Sequence, residues 1–151
     1  MSNKCIRMER QLMVGVKVLL RNKQGKYLLA RRNPKKYPEV GPKWDIIGGR
    51  IDVGSSLMEN LKREVMEEVG LELTDTPALL AAQDILRVPD RHVVRLTYHA
   101  SIEGEPAADN EENTEVRWFS LSELRSMPEQ ELDSYLMEIL HQGILPKVVT
   151  T

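Results

Sequence analysis

Gly48-Gly49-Arg50-Ile51-Asp52-Val53-Gly54-Ser55-Ser56-Leu57-Met58-Glu59-Asn60-Leu61-Lys62-Arg63-Glu64-Val65-Met66-Glu67-Glu68-Val69-Gly70-Leu71 is the stretch on which the chain turns. It reads as a Gly-rich turn leading into a helix. Ser56 and Glu59 have the S-x-x-E spacing of a capping box, in which each residue satisfies an orphan amide of the first turn, and Gly70 suits a left-handed stop. The spacing therefore predicts a helix over Leu57–Val69. Residues set roughly 100° apart place Leu57, Met58, Leu61, Val65 and Val69 in one apolar arc. Glu64 and Glu68, one turn apart, border that arc, Glu67 lies further round, and Arg63 points nearly opposite it.

A solvated acidic face accounts for Glu59 and is open for Glu67. It does not explain why Glu64 and Glu68 crowd against the buried stripe with no basic residue four positions on. Clustered carboxylates repel unless something neutralises them. A hard divalent cation does so, and Mg²⁺ takes one or two carboxylates together with waters and substrate phosphates. Gly48, just before the helix segment, can add a backbone carbonyl.

Arg63-Glu64-Val65-Met66-Glu67-Glu68-Val69-Gly70-Leu71 resembles the R-E-U-x-E-E-x-G-U half of the Nudix hydrolase signature, where U is apolar, and Gly49 has the spacing of its leading glycine. One position departs: where the family pattern has a glutamate, this chain has Ser55. In the family that glutamate orients the arginine of the motif, so Arg63 needs another partner, with Glu59 and Glu67 at i−4 and i+4 as candidates.

The 151 residues are 41% hydrophobic and 29% charged, the profile of an ordinary globular domain, and we read residues 1–151 as a single one. A net charge of −2 argues against a generally basic nucleic-acid surface, so no polymeric nucleic acid is expected as partner. Cys5 stands alone, so no intrachain disulfide forms. The apolar run Leu12–Leu20 is too short for a membrane span and is interrupted by Lys17. Neither a signal peptide nor a membrane partner is expected, and the cytoplasm follows by default.

Strands are expected over Gln11–Leu20 and Lys26–Arg32, joined as a hairpin through Asn22–Gly25. Asn33–Lys43 is a Pro- and Gly-containing loop that leads to a short strand, Trp44–Ile47, ending at the Gly48-Gly49 turn. Arg31, Tyr37 and Trp44 are candidate substrate contacts, with Trp44 weighed towards core packing. Thr76–Leu86 and His92–Ile102 read as strands, and Arg87, Arg91 and Arg95 divide between phosphate contacts and exposed strand positions. His92 and His99 lack metal-ligand spacing. A strand over Thr114–Phe119 precedes a helix capped by Ser120 and Glu123, and a last helix spans about Glu129 to His141.

These elements make an α/β chain, a mixed β-sheet sandwiched between α-helices. That agrees with the Nudix fold, and Glu115–Leu124 resembles the strand-to-helix segment that follows the signature in many members. The resemblance implies a metal-dependent hydrolase that cleaves a diphosphate bond in a nucleoside diphosphate derivative, an NTP, an oxidised dNTP or a nucleotide sugar, by water attack on phosphorus. It implies Mg²⁺ or Mn²⁺ held by Gly48, Glu64, Glu67 and Glu68. Glu64, Glu67 and Glu112 are the catalytic candidates, with Glu111 and Glu115 as fallbacks for Glu112. Gly49, Arg63 and Gly70 support the site. A small-molecule nucleotide is the expected partner, and a homodimer is left open. Two other readings stay in view: an enzyme like isopentenyl-diphosphate isomerase, which needs a cysteine near the site, and a non-catalytic nucleotide sensor.

Overall fold

The computed structural model describes residues 9–146; Cys5 lies outside the described residues. In chain order the elements are β1 (Gln11–Arg21), β2 (Tyr27–Arg32), β3 (Trp44–Asp45), β4 (Ile47–Arg50), α1 (Leu57–Val69), β5 (Ala78–Ile85), β6 (Arg91–Ser101), β7 (Asn113–Phe119), α2 (Leu121–Ser126) and α3 (Ser134–Gln142).

They form one mixed sheet with β1 at its centre. Strands run in the order β3-β2-β1-β6-β5, with β4 paired to β1 and β7 paired to β2. β6 runs parallel to β1 along its whole length, from Gln11 opposite Arg91 to Arg21 opposite Ser101. The expected hairpin exists only where β1 ends, at Leu20 opposite Leu28 and Arg21 opposite Tyr27. The rest of that edge of β1 is taken by β4, with Val16 opposite Gly49 and Lys17 opposite Gly48.

Because side chains alternate across a strand, a centrally placed strand must be apolar on both faces. Val16, Val18 and Leu20 of β1, with Leu28 and Ala30 of β2, pack on the α1 stripe Leu61, Val65 and Val69. Leu19, Tyr27 and Leu29 point the other way and pack with Leu124 of α2 and Leu136 and Leu140 of α3. Helices thus cover both faces, as the pattern predicted.

Three differences from expectation bear on the site and its surroundings; elsewhere strand ends move by one or two residues. The strand expected over Trp44–Ile47 is split at Ile46: Trp44–Asp45 pairs with β2, whereas Ile47–Arg50 pairs with β1. Gly48 and Gly49 accordingly belong to a strand, and the turn follows at residues 51–56. The last helix starts at Ser134, because Asp133 caps it by accepting from the amides of Tyr135 and Leu136. Residues upstream are drawn into an extended bridge with Trp44, whose amide donates to Glu131 O at 2.8 Å and whose carbonyl accepts from Asp133 N at 2.8 Å.

Candidate active site

α1 carries the site, and its ends are built as expected. Ser56 and Glu59 form the reciprocal capping box, and Gly70 adopts the left-handed conformation at φ 70°. Glu64 and Glu68 are 7% and 6% exposed, which puts both carboxylates inside the protein on the flank of the stripe. Glu68 accepts from the Gly48 amide at 2.8 Å and from Asn113 Nδ2 at 3.4 Å. Burial pushes its carboxyl up to about 8, against the pull of Lys17 and the Gly48 amide. Burial also raises Glu64, with Arg63 opposing.

Two glycines make this packing possible. A Cβ at Gly48 would lie 2.0 Å from Val16 O, so no side chain fits there. A Cβ at Gly49 would meet the Glu64 carboxylate at 2.8–2.9 Å. The absence of side chains lets β4 run against β1 on one side and the glutamates close on its backbone on the other.

Glu112 completes the group: one oxygen each from Glu64, Glu68 and Glu112 lie within 4.8 Å of one another. The loop bearing Glu112 is pinned by Asp109 Oδ1, which accepts from Asn113 N at 3.0 Å, and by Asn33, whose amide donates to Glu112 O at 2.9 Å. Lys36 Nζ lies 3.2 Å from Glu112 Oε1. Of the fallbacks, Glu115 is turned to Arg117 and Arg31, and Glu111 is exposed. Glu67 falls outside this group; its side chain is 59% exposed and lies 3.6 Å from Arg63.

Arg63 finds partners that the sequence reading did not name. Its Nη2 donates to Asn60 Oδ1 at 2.8 Å and lies 3.4 Å from Asp52, while its Nη1 lies 3.2 Å from Glu64 Oε1. Glu59 is instead used in the cap. Asn60, fully buried, also accepts from Asp52 N at 2.9 Å and donates to the carbonyls of Ser55 and Ser56. Asn60 thus ties the 52–56 turn to the helix and to Arg63. A polar residue at a position facing the core, one turn before Glu64, was the signal for it.

The carboxylates line a cavity of about 480 Å³. Its lining also includes Tyr37, Lys17, Arg32, Asp45, Arg87, Arg91 and Arg95. Trp44 does not reach it: it is 6% exposed and packs edge-on to Phe119 at 5.0 Å. Arg31 is also outside the lining, with Nε donating to Pro42 O at 3.1 Å and its guanidinium 5.9 Å from the Trp44 ring centre. Arg95 is not an exposed strand arginine; it is 3% exposed and bound at 3.1 Å to both Asp45 and Asp133. His92 pairs with Asp84 at 2.7 Å, away from the site.

Oxygen donors only, two of them buried and raised in pKa by that burial, suit a hard divalent cation. The three carboxylates fit such an ion, whereas the Gly48 carbonyl accepts from Lys17 Nζ at 3.4 Å.

Sheet, helices and carboxylate cluster together define a MutT-like Nudix hydrolase domain. Residues 11–139 match the family model described as NUDIX domain, and the chain belongs to this family. Hydrolases of this family generally need a divalent metal, and the glutamate cluster here could hold one. Among relatives, the NAD-capped RNA hydrolase NudC of Stutzerimonas stutzeri is 32% identical over 118 residues, 77% of this chain and 40% of that protein. The chain therefore spans well under half the length of that relative. A putative 8-oxo-dGTP diphosphatase of Bacillus subtilis is 32% identical over 107 residues, covering 70% of this chain and 65% of that one. The crystal structure of a MutT protein from Methanosarcina mazei Go1 superposes with a TM-score of 0.76 at 26% identity, covering 89% of this chain and 94% of the other. Among the described residues no helix is long and apolar enough to cross a membrane.

Proposed function

We propose that the protein is a hydrolase that uses Mg²⁺ or Mn²⁺ to cleave a diphosphate bond in a nucleoside diphosphate derivative by attack of water on phosphorus. The observation that carries this reading is the convergence of Glu64, Glu68 and Glu112 in a cavity that Arg32, Arg87, Arg91 and Arg95 also line. A diphosphate resists attack because its own charge repels a nucleophile. A divalent ion held by Glu64, Glu68, Glu112 and the Gly48 carbonyl supplies neutralisation of that charge and a more acidic water.

The protein supplies the rest. The Gly48 amide and Asn113 fix the Glu68 carboxylate, and Arg63 fixes Glu64. Glu67, one turn on, adds a longer and exposed contact to Arg63. The proton leaving the water goes to Glu64 or Glu112; burial raises the Glu64 carboxyl and so makes it a stronger base than an ordinary glutamate. Tyr37, on the cavity wall, is placed to contact the nucleoside.

Reaction in ¹⁸O-water tests the proposal directly. Label is expected in one phosphate-containing product, dependent on Mg²⁺ or Mn²⁺ and insensitive to Cys5→Ala. Unlabelled phosphates, or carbon-bound proton exchange that needs Cys5, would transfer the assignment to an isomerase, and binding without turnover would transfer it to a sensor. The substrates to compare are NTPs, oxidised dNTPs, nucleotide sugars and an NAD-capped RNA. The last is included because a relative bears that name, which bears on the expectation of no polymeric nucleic acid.

A further inference from the structure

The loop between β5 and β6 forms part of the cavity wall, and its shape is set from outside the cavity. Residues 86–90 connect the two strands; Arg87 and Val88 of this loop and Arg91, which opens β6, line the cavity. Among the described residues, two backbone–backbone bonds outside the strand ladders reach the loop. The Arg91 amide donates to Val88 O at 3.1 Å, and the Gln11 amide donates to Asp90 O at 2.9 Å.

Arg10, an exposed residue just before β1, supplies the rest. Its Nη1 donates to Leu86 O at 3.0 Å, to Arg91 O at 3.0 Å and to Val88 O at 3.5 Å. Leu86 and Arg91 stand on the two sides of the neck and Val88 in the middle of the loop, so one nitrogen ties all three together. Carbonyl oxygens are the negative ends of peptide dipoles, and oxygens that converge on one point repel unless a cation sits among them. Bonds from a charged donor are also stronger than neutral ones. The conformation in which these carbonyls turn towards each other therefore depends on the arginine.

The inner side of the loop is held separately. The guanidinium carbons of Arg87 and Arg95 lie 5.5 Å and 5.6 Å from the ring centre of Tyr135, in the first turn of α3. Asp133, the cap of that helix, holds Arg95 at 3.1 Å. Arg10 thus fixes the backbone of the loop while α3 fixes one of its side chains. Arg10 itself is not in the lining of the cavity, and its side-chain hydrogen bonds go to the loop rather than to Glu64, Glu68 or Glu112.

We propose that Arg10 is a positioning residue: from outside the cavity it locks the β5–β6 loop in the conformation that completes the cavity wall, and so governs substrate binding rather than the metal centre. The effect on substrate rests on the hydrolase reading above; the lock on the loop does not.

The first arm of the test is hydrogen exchange of single amides, followed by NMR in the ligand-free full chain. In Arg10→Met the Arg91 amide, which closes the loop on Val88, should exchange about 10-fold faster than in wild type, while the amides of Leu61 and Val65 in α1 keep their rates. An unchanged rate at Arg91, or a change no larger than that in α1, overturns the lock. The second arm is steady-state kinetics on the best substrate among the nucleotides compared above, with Mn²⁺ binding measured by calorimetry. Arg10→Met should raise KM by about 3- to 10-fold with kcat nearly unchanged and Mn²⁺ affinity unchanged. Arg10→Lys, which keeps one charged nitrogen with N–H donors for the three carbonyls, should recover part of that loss. A loss carried by kcat rather than KM, weaker Mn²⁺ binding, or equal KM values in the Met and Lys variants overturns the positioning role. If no nucleotide is hydrolysed at all, the hydrolase reading fails while the first arm still decides the lock.

Discussion

The backbone amide of Gly48 donates to Glu68 Oε2 across 2.8 Å, joining the strand that lines the cavity to the helix that carries its carboxylates. That bond forms because Gly48 has no side chain and because Glu68 is drawn inward beside Val65 and Val69. Burial raises the Glu68 carboxyl in this position although the Gly48 amide opposes it, and the effects are measurable.

Glu68→Gln should abolish metal-dependent hydrolysis and, in the metal-free protein, flatten the pH dependence of stability. The folded pKa of about 8 lies above the ordinary 4.5, so between these values the folded state holds a proton that the unfolded state has released. Stability from this group is thus present below about 4.5 and is lost as pH rises towards 8, with a slope of at most about 1.4 kcal/mol per pH unit. Urea unfolding of wild type and variant from pH 5 to 9 measures this, and added Mg²⁺ should stabilise wild type more at pH 8 than at pH 6. A wild-type curve that rises with pH over this range would refute the account.

Asp45 behaves with the opposite sign. Burial raises its carboxyl, but Arg95, Lys17 and Arg32 overcome that and hold it well below the usual carboxylate range. Its contribution is present above pH 4 and disappears only as pH falls through its low folded value. Asp45→Asn removes the carboxylate that Lys17, Arg32 and Arg95 share and should cost about 3–5 kcal/mol in denaturant unfolding at pH 7. A loss under about 1 kcal/mol would mean that solvent already compensates these charges.

Asn60→Ala should destabilise by about 1–3 kcal/mol and lower activity as well, because it removes the acceptor of Arg63 and the ties to the 52–56 turn together. Activity should fall further in this variant than in Glu67→Ala, whose contact with Arg63 is exposed and long. The reverse order would place the support of Arg63 on Glu67.

Ser55→Glu restores the family residue at an exposed position. Since Arg63 is already engaged by Asn60, Glu64 and Asp52, the gain should be within about 0–1 kcal/mol and activity equal or modestly higher. A large fall in steady-state activity would assign Ser55 a contact of its own with substrate.

Much of the fold was legible because its signals are local. The caps of α1 and the two-faced apolar run of β1 are periodic features of a few residues, and the Glu64 and Glu68 flank follows from helix geometry alone. Glu112 was placed by resemblance, and the structure brings it to the other two glutamates. Where the reading failed, the partner was distant in sequence. The start of α3 was set too early because Trp44, some ninety positions back, claims the backbone at Glu131 and Asp133. Glu59 was offered to Arg63 by helical spacing, but its own cap uses it first.

By itself, the sequence determined that an amphipathic helix with inward-flanking glutamates follows a glycine pair, since capping, periodicity and side-chain absence are properties of neighbouring residues. Only the tertiary structure decided what those glutamates face. Asp45, Lys17, Arg32 and Arg95 come from four different strands, and nothing in their spacing announces that three basic side chains share one buried carboxylate. Charges separated by tens of residues interact only after the sheet has brought β1, β2, β3 and β6 side by side and excluded water between them, and that strengthens their coupling.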